Sequence, residues 1–492
     1  MKRVASAIVP IIAIDRKAAE PLHRQIYDAY RSAILERRLR PRERVPSTRT
    51  LATELGVSRM PVLNAYAQLL AEGYFESRVG TGTQICSSLP DQHAAHDARG
   101  AATAPRLSGA RPVSLRASRM ARAERPVWHG FGAFGVGQVA FEHFPIQIWS
   151  RLVTRHCRGM GAGTAHYGDQ MGSGIFRETI AGYLRTARGV SCEAQQIMIV
   201  SGSQYALEIT ARVLLDPGSA VWMEEPGYSF MRDVLSLTGC RIVPVPVDDE
   251  GLDVAAGTRL ARKARAAFVT PSHQYPLGVT MSATRRLQLL AWAQSAGSWI
   301  IEDDYDSEFR YGSQPIASLQ GLDSHARVIY IGTFSKVLFP SLRLGYIVMP
   351  PDLVERFHAV RRTMDLSPPS FYQDVVADFI REGHFARHIR RMRTLYRDRR
   401  GALVESIRDE FGTDVQIVGS EAGLHLAVLF PGLKSDIEFA VKVARHQVWL
   451  RPLSPAYVGE APRQGFILGF GSGSAEEIPR AIRKIRGVLL AK

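Results

Sequence analysis

The sequence predicts an α/β fold for most of the chain, with a small helical module at its front. Three observations carry this. After residue 126, short β-branched runs alternate with helical stretches, the pattern of a mostly parallel sheet covered by helices. Before residue 86, two short helical patterns meet at a glycine and are followed by a hairpin pattern. Between them lies a tract rich in Ala, Arg, Gly, Ser and Pro. The expected division is therefore residues 1–86, a linker over 87–125, and residues 126–492.

The length of 492 residues calls for more than one domain. The four cysteines, Cys86, Cys157, Cys192 and Cys240, form no Cys-x-x-Cys pair, which fits a reducing cytoplasm. Residues 1–125 hold 21 Lys and Arg against 11 Asp and Glu, while the remaining 367 residues hold 41 against 36. A basic front on a near-neutral body points to an anionic partner, most often nucleic acid. Residues 1–14 have a charged start and a short apolar run. Pro10 interrupts that run, so it reads as a strand or docking arm rather than a secretory signal. No stretch is apolar for long enough to span a membrane.

In the front module, Leu22, Ile26, Tyr30, Ala33 and Ile34 fall at helical spacing. Ser47 is placed to cap a second helix that buries Leu51, Ala52 and Leu55, and Gly56 ends it. Ser58 is expected to cap a third helix, with Pro61 in its first turn and Val62, Ala65, Tyr66, Leu69 and Leu70 inward. The alternating segment 74–85 is expected to form a hairpin wing with Arg78 at its tip. The third helix would enter a major groove with Ser58 and Arg59 at its start, while Arg44 and Arg49 would hold phosphates. The alternative is a helical module that binds protein. Residues 87–125 have no sustained apolar period and read as a flexible tether.

In the remainder, 197–200, 219–223, 266–270, 299–301 and 328–331 are strand-like, and 203–215 and 283–294 are helical. Ligands in such sheets sit beyond the carboxyl ends of the strands. Five motifs fall there. Ser201-Gly202-Ser203-Gln204 opens a helix and can cup a phosphate. Tyr228 follows a Pro-Gly turn and can stack on a flat heterocycle or simply pack in the turn. His273 and Gln274 lie in a loop fixed by prolines. Glu302-Asp303-Asp304-Tyr305-Asp306 ends a buried strand, where acids need a cation; a protonated ring nitrogen would serve, and a metal is the alternative. Lys336 lies between Thr333, Ser335 and Arg343. A lysine after a strand is usually a solvated loop residue, but one in a dry site is a Schiff-base nucleophile. Together these groups match pyridoxal 5′-phosphate.

The motifs Pro-Ser-x-Arg-x-Leu-Ala-x-x-Leu-Gly-Val-Ser-Arg and Gly-Thr-Gly-Thr make the front module resemble the GntR-type winged helix, departing at Arg38 and Arg42, where that family shows glycines. Residues 126–492 resemble fold-type I aminotransferases. That resemblance implies Lys336 as the Schiff-base lysine, Asp303 as partner of the pyridine nitrogen, Tyr305 of the ring O3′, and Tyr228 as the stacking residue. Gly202, Ser203, Gln204, Thr333 and Arg343 would hold the phosphate. Tyr167 would reach the phosphate of a neighbouring subunit, implying a homodimer. Two departures stand out. Tyr275 replaces the Asn before Pro276, leaving that contact to His273 or Gln274. Ile467 stands where the family's Arg-Leu-x-Phe arginine grips a substrate carboxylate, with Arg451 as the substitute. The whole chain resembles the MocR/GabR group of transcription regulators. The resemblance implies head-to-tail dimers, double-stranded operator DNA and a small amino-compound effector, or the cofactor itself, as signal. The alternative is a working aminotransferase with an accessory DNA-binding arm.

Overall fold

The computed structural model describes residues 10, 12–78, 82–87, 113–122, 132–161, 166–312 and 317–491. It divides into two compact units, residues 1–112 and 113–492. Among the described residues, no helix is long and apolar enough to cross a membrane.

In the first unit, α1 (Leu22–Leu35), α2 (Thr48–Glu54) and α3 (Arg59–Ala71) precede the antiparallel pair β1 (Phe75–Arg78) and β2 (Gly82–Ile85). Tyr30, Tyr66 and Phe75 meet edge to face at the centre, with ring centroids 5.1 to 5.7 Å apart. The Ser47 hydroxyl accepts from Thr50 N at 3.1 Å, as a cap should, and Gly56 turns the chain at φ +62°. Ser58 stands at the N-cap of α3 but makes no capping hydrogen bond, so its side chain is left facing solvent. Leu70 is 38% exposed, contrary to expectation, because it lies beside rather than under the buried line of Val62, Ala65, Tyr66 and Leu69. Residues 42–45 add a third strand-like segment to the wing: Arg42 N donates to Ile85 O, Ile85 N to Glu43 O, and Val45 N to Thr83 O. Arg42 takes φ +68° there, the left-handed conformation that glycine adopts most easily.

The second unit is built on an eight-stranded sheet. Its strands are β3 (Ile197–Val200), β4 (Ala220–Glu225), β5 (Arg241–Asp248), β6 (Gly251–Leu252), β7 (Ala266–Val269), β8 (Trp299–Asp304), β9 (Val328–Thr333) and β10 (Gly345–Val348). Their spatial order is β3-β10-β9-β8-β7-β4-β5-β6. β10 runs antiparallel to β3 and β9, β6 runs antiparallel to β5, and the other pairings are parallel. A second, antiparallel sheet joins β11 (Gln416–Val418), β12 (His425–Leu429), β14 (Gly465–Gly469) and β13 (Arg451–Pro452). The 28-residue helix His384–Phe411 supplies buried apolar residues to the same core cluster as β12 and β14. The expected tether is corrected at its carboxyl end. Leu115–Arg122 is a helix, and Arg116 Nη1 donates to Leu237 O at 3.1 Å, at the carboxyl end of the helix Ser229–Thr238. Residues 88–112 lie outside the described residues.

Candidate functional site

A cavity of about 270 Å³ opens where the parallel strands end. Lys336, Asp303, Tyr305, Tyr228, Ser203, Gln204, Thr333, Arg343 and Arg451 all border it, although they are spread over 249 positions of sequence. Lys336 follows β9, and its Nζ donates to Gly137 O at 3.1 Å. Gly137 has φ +80°, a conformation that favours glycine, and a Cβ there would stand 2.6 Å from that Nζ, so a side chain at this position would push the lysine tip aside. Burial draws the Lys336 pKa below its ordinary value. Asp306 and Asp303 oppose the shift and Arg451 adds to it.

The acids of β8 divide by alternation. Glu302 and Asp304 point away from the cavity. Glu302 accepts from Leu319 N and Gln320 N at 2.9 Å. Asp304 accepts from Arg188 Nη2 at 2.6 Å and from the Tyr330 hydroxyl at 2.5 Å. Asp303 faces the cavity. Its Oδ1 is buried and lacks a hydrogen-bond partner among the described residues. Burial first, then the charges of Asp304 and Asp306, push its pKa up to about 7 against the opposing effect of Lys336. A carboxylate held this way fits a protonated ring nitrogen.

The residues expected to cup a phosphate lie around the amino end of the helix Ser203–Leu214. Gly202 takes φ +87°, and a Cβ there would lie 3.1 Å from the Arg343 guanidinium. Arg343, itself at φ +51°, donates from Nη2 to Ser201 O at 2.8 Å. Thr333 Oγ1 donates to Ser335 Oγ at 3.1 Å. Tyr228 precedes the helix Ser229–Thr238 and meets Tyr275 edge to face at 5.5 Å.

Neither loop residue offered for the missing asparagine reaches the cavity. The Gln274 amide is consumed by Pro226 O, Tyr275 O and Glu224. His273 lies behind: its Nδ1 stands 3.1 Å from Asp306 Oδ2, and its carbonyl accepts from the Tyr305 hydroxyl at 2.8 Å. Tyr275 borders the cavity instead. Asp306, named in the acid motif without a role of its own, and His425 also border it; His425 comes from β12 of the second sheet, and no local pattern could have found it. Burial and His273 push the His425 pKa well down. His273, Asp306 and His425 offer ligand atoms within 4.8 Å of one another, so histidines do adjoin one of these acids in space, although none does in sequence.

Arg451 on β13 lies directly across from Ile467 on β14. Cross-strand partners share a face, so the guanidinium enters one strand over from the position where aminotransferases place theirs. Tyr167 is 77% exposed and does not border this cavity.

In the first unit, Arg44, Arg49, Ser58 and Arg59 are exposed. Arg44 bridges to Gln84 of the wing, and Arg59 Nε donates to Thr48 Oγ1 at 3.2 Å. Arg78 ends β1; its side chain and the wing tip at 79–81 lie outside the described residues.

Residues 22–85 match the gntR family of bacterial regulatory proteins, and residues 133–485 match aminotransferase class I and II. The chain is 40% identical to the probable rhizopine catabolism regulatory protein MocR of Rhizobium meliloti, over 98% of this chain and 96% of that one. The chain belongs to the MocR/GabR-type transcription regulators. The HTH-type transcriptional regulator TauR of Rhodobacter capsulatus is 33% identical, over 93% of this chain and 94% of its own. LysN, the α-aminoadipate aminotransferase of Thermus thermophilus solved with N-(5′-phosphopyridoxyl)-L-leucine, superposes with a TM-score of 0.71 at 26% identity, covering 77% of this chain and 97% of that one. Full-length likeness to regulators favours a regulator over a working aminotransferase that carries an accessory arm.

Proposed function

We propose that this regulator holds pyridoxal 5′-phosphate in the cavity of its second unit, reads a small amino compound there, and answers through operator DNA bound by its first unit. The observation that carries the reading is that Lys336 and Asp303 border one cavity, an amine of lowered pKa and a buried carboxylate oxygen without a partner among the described residues. Lys336 would attach the cofactor, whose aldehyde supplies reversible imine chemistry with amines. Asp303 would hold the ring nitrogen protonated, Tyr305 the phenolic oxygen, and Tyr228 one ring face. Gly202, Ser203, Gln204, Thr333 and Arg343 would receive the phosphate. Arg451 would orient an anionic group of the effector. Arg44, Arg49, Ser58, Arg59 and Arg78 would meet DNA. The exposed Tyr167 suits a head-to-tail homodimer in which it completes the partner's site.

An absorbance scan of the purified chain with added cofactor tests the reading. The wild type should gain a visible band that shifts when the right amine is added, and Lys336→Ala should show neither. A Lys336→Ala protein that keeps both the band and the amine-dependent change in operator affinity would defeat it. Arg59→Ala should weaken operator binding, and more so at low salt.

A further inference from the structure

The buried line of α3 is Val62, Ala65, Tyr66 and Leu69. At 100° per residue, the opposite line is Met60, Asn64, Ala67 and Ala71. All four are exposed, Met60 by 61%, and Leu63 at the margin by 39%. No lysine or arginine stands on this line. Arg59 turns aside to Thr48. Gln68 is engaged too, its Nε2 donating to Glu72 Oε1 at 2.8 Å. Among the described residues, the Asn64 amide makes no hydrogen bond, so the outward face offers one amide between apolar groups, in a unit that also exposes Arg44, Arg49 and Arg59.

That combination selects its occupant. The exposed arginines of this unit suit phosphates, which argues for a duplex rather than an apolar protein surface. In the major groove, guanine is read chiefly by arginine or lysine, which this line lacks. An asparagine amide matches N6 and N7 of adenine, and an apolar side chain matches the thymine C5 methyl. We infer that the outward line of α3 reads A·T pairs: Met60, with Leu63 beside it, packs on thymine methyls, and Asn64 grips an adjacent adenine. The inference rests on the DNA-binding reading above and adds which bases are read and by which residues.

The test uses the full chain and duplexes it selects from a randomised library. In the selected duplex each thymine is replaced in turn by uracil, which removes only the C5 methyl. At one or two positions per half-site, affinity of the wild type should fall about four-fold, the worth of a buried methyl group, and Met60→Ala should be indifferent to that replacement. Asn64→Ala should lose about ten-fold and no longer prefer adenine at one position. Uracil duplexes bound as tightly as thymine duplexes throughout, or a guanine-centred site untouched by Asn64→Ala, would overturn the inference while leaving DNA binding intact. Failure to enrich any duplex would remove the DNA-binding reading and this inference with it. The uracil series needs no variant, so folding does not enter its outcome.

Discussion

Two neighbouring acids on β8, Asp304 and Asp303, face opposite ways and meet opposite fates. Asp304 meets Arg188 where both side chains are nearly sealed from water, 4% and 1% exposed. The guanidinium and the Tyr330 hydroxyl hold its carboxyl below the usual range against the effect of burial. Removing the cation leaves a buried charge uncompensated, so Arg188→Ala should cost about 3–5 kcal/mol in denaturant unfolding. Asp303, on the other face, is raised to about 7, chiefly by burial. The folded state therefore keeps this proton to higher pH than the unfolded chain does. Its contribution to stability is full below the ordinary carboxylate value and is lost as pH climbs through about 7. In cofactor-free protein, Asp303→Asn should flatten the fall in thermal midpoint between pH 5 and 8. An unchanged slope would show that Asp303 ionises as an ordinary carboxylate.

Among elements, the wing and the caps of the first unit are the most exposed to single substitutions. Ser47 holds the amino end of α2 through Thr50 N, and Ser47→Ala should destabilise the unit by about 1 kcal/mol. Arg42 occupies a left-handed position where glycine costs nothing sterically, so Arg42→Gly should raise stability by about 1 kcal/mol, read as a higher denaturation midpoint. The helix Leu115–Arg122 is fastened to the second unit by Arg116 at the carboxyl end of Ser229–Thr238, the helix that begins beside Tyr228. Arg116→Ala should speed proteolytic cleavage near residue 115, and an unaltered cleavage rate would show that this hydrogen bond does not hold the helix in place.

At the scale of the molecule, sensing requires that ligand and DNA each favour one arrangement of the chain over another. A ligand that binds two arrangements equally shifts nothing, however tightly it is held. The coupling is also reciprocal. If an amine changes operator affinity by some factor, saturating operator must change the affinity for that amine by the same factor. Spectral titrations with and without operator measure this factor, and an amine affinity unmoved by saturating operator would show that the two units are not coupled.

Local pattern was enough for much of this protein. Periodicity marked the three front helices and five of the strands. The residues Ser203, Tyr228, Asp303, Tyr305, Lys336 and Arg343 were legible because their motifs lie near strand ends, where a parallel sheet gathers its ligand groups, and because those motifs resemble the aminotransferase pattern. Long-range geometry decided the rest. That Arg451 stands beside Ile467 is a register between two strands, that Tyr275 rather than Gln274 faces the cavity follows from the engagements of the Gln274 amide with Glu224 and two backbone carbonyls, and that His425 joins the site depends on docking a second sheet against the first. Chain-local propensity carries no information on such pairings, because their energy arises only once segments separated in sequence share a buried surface.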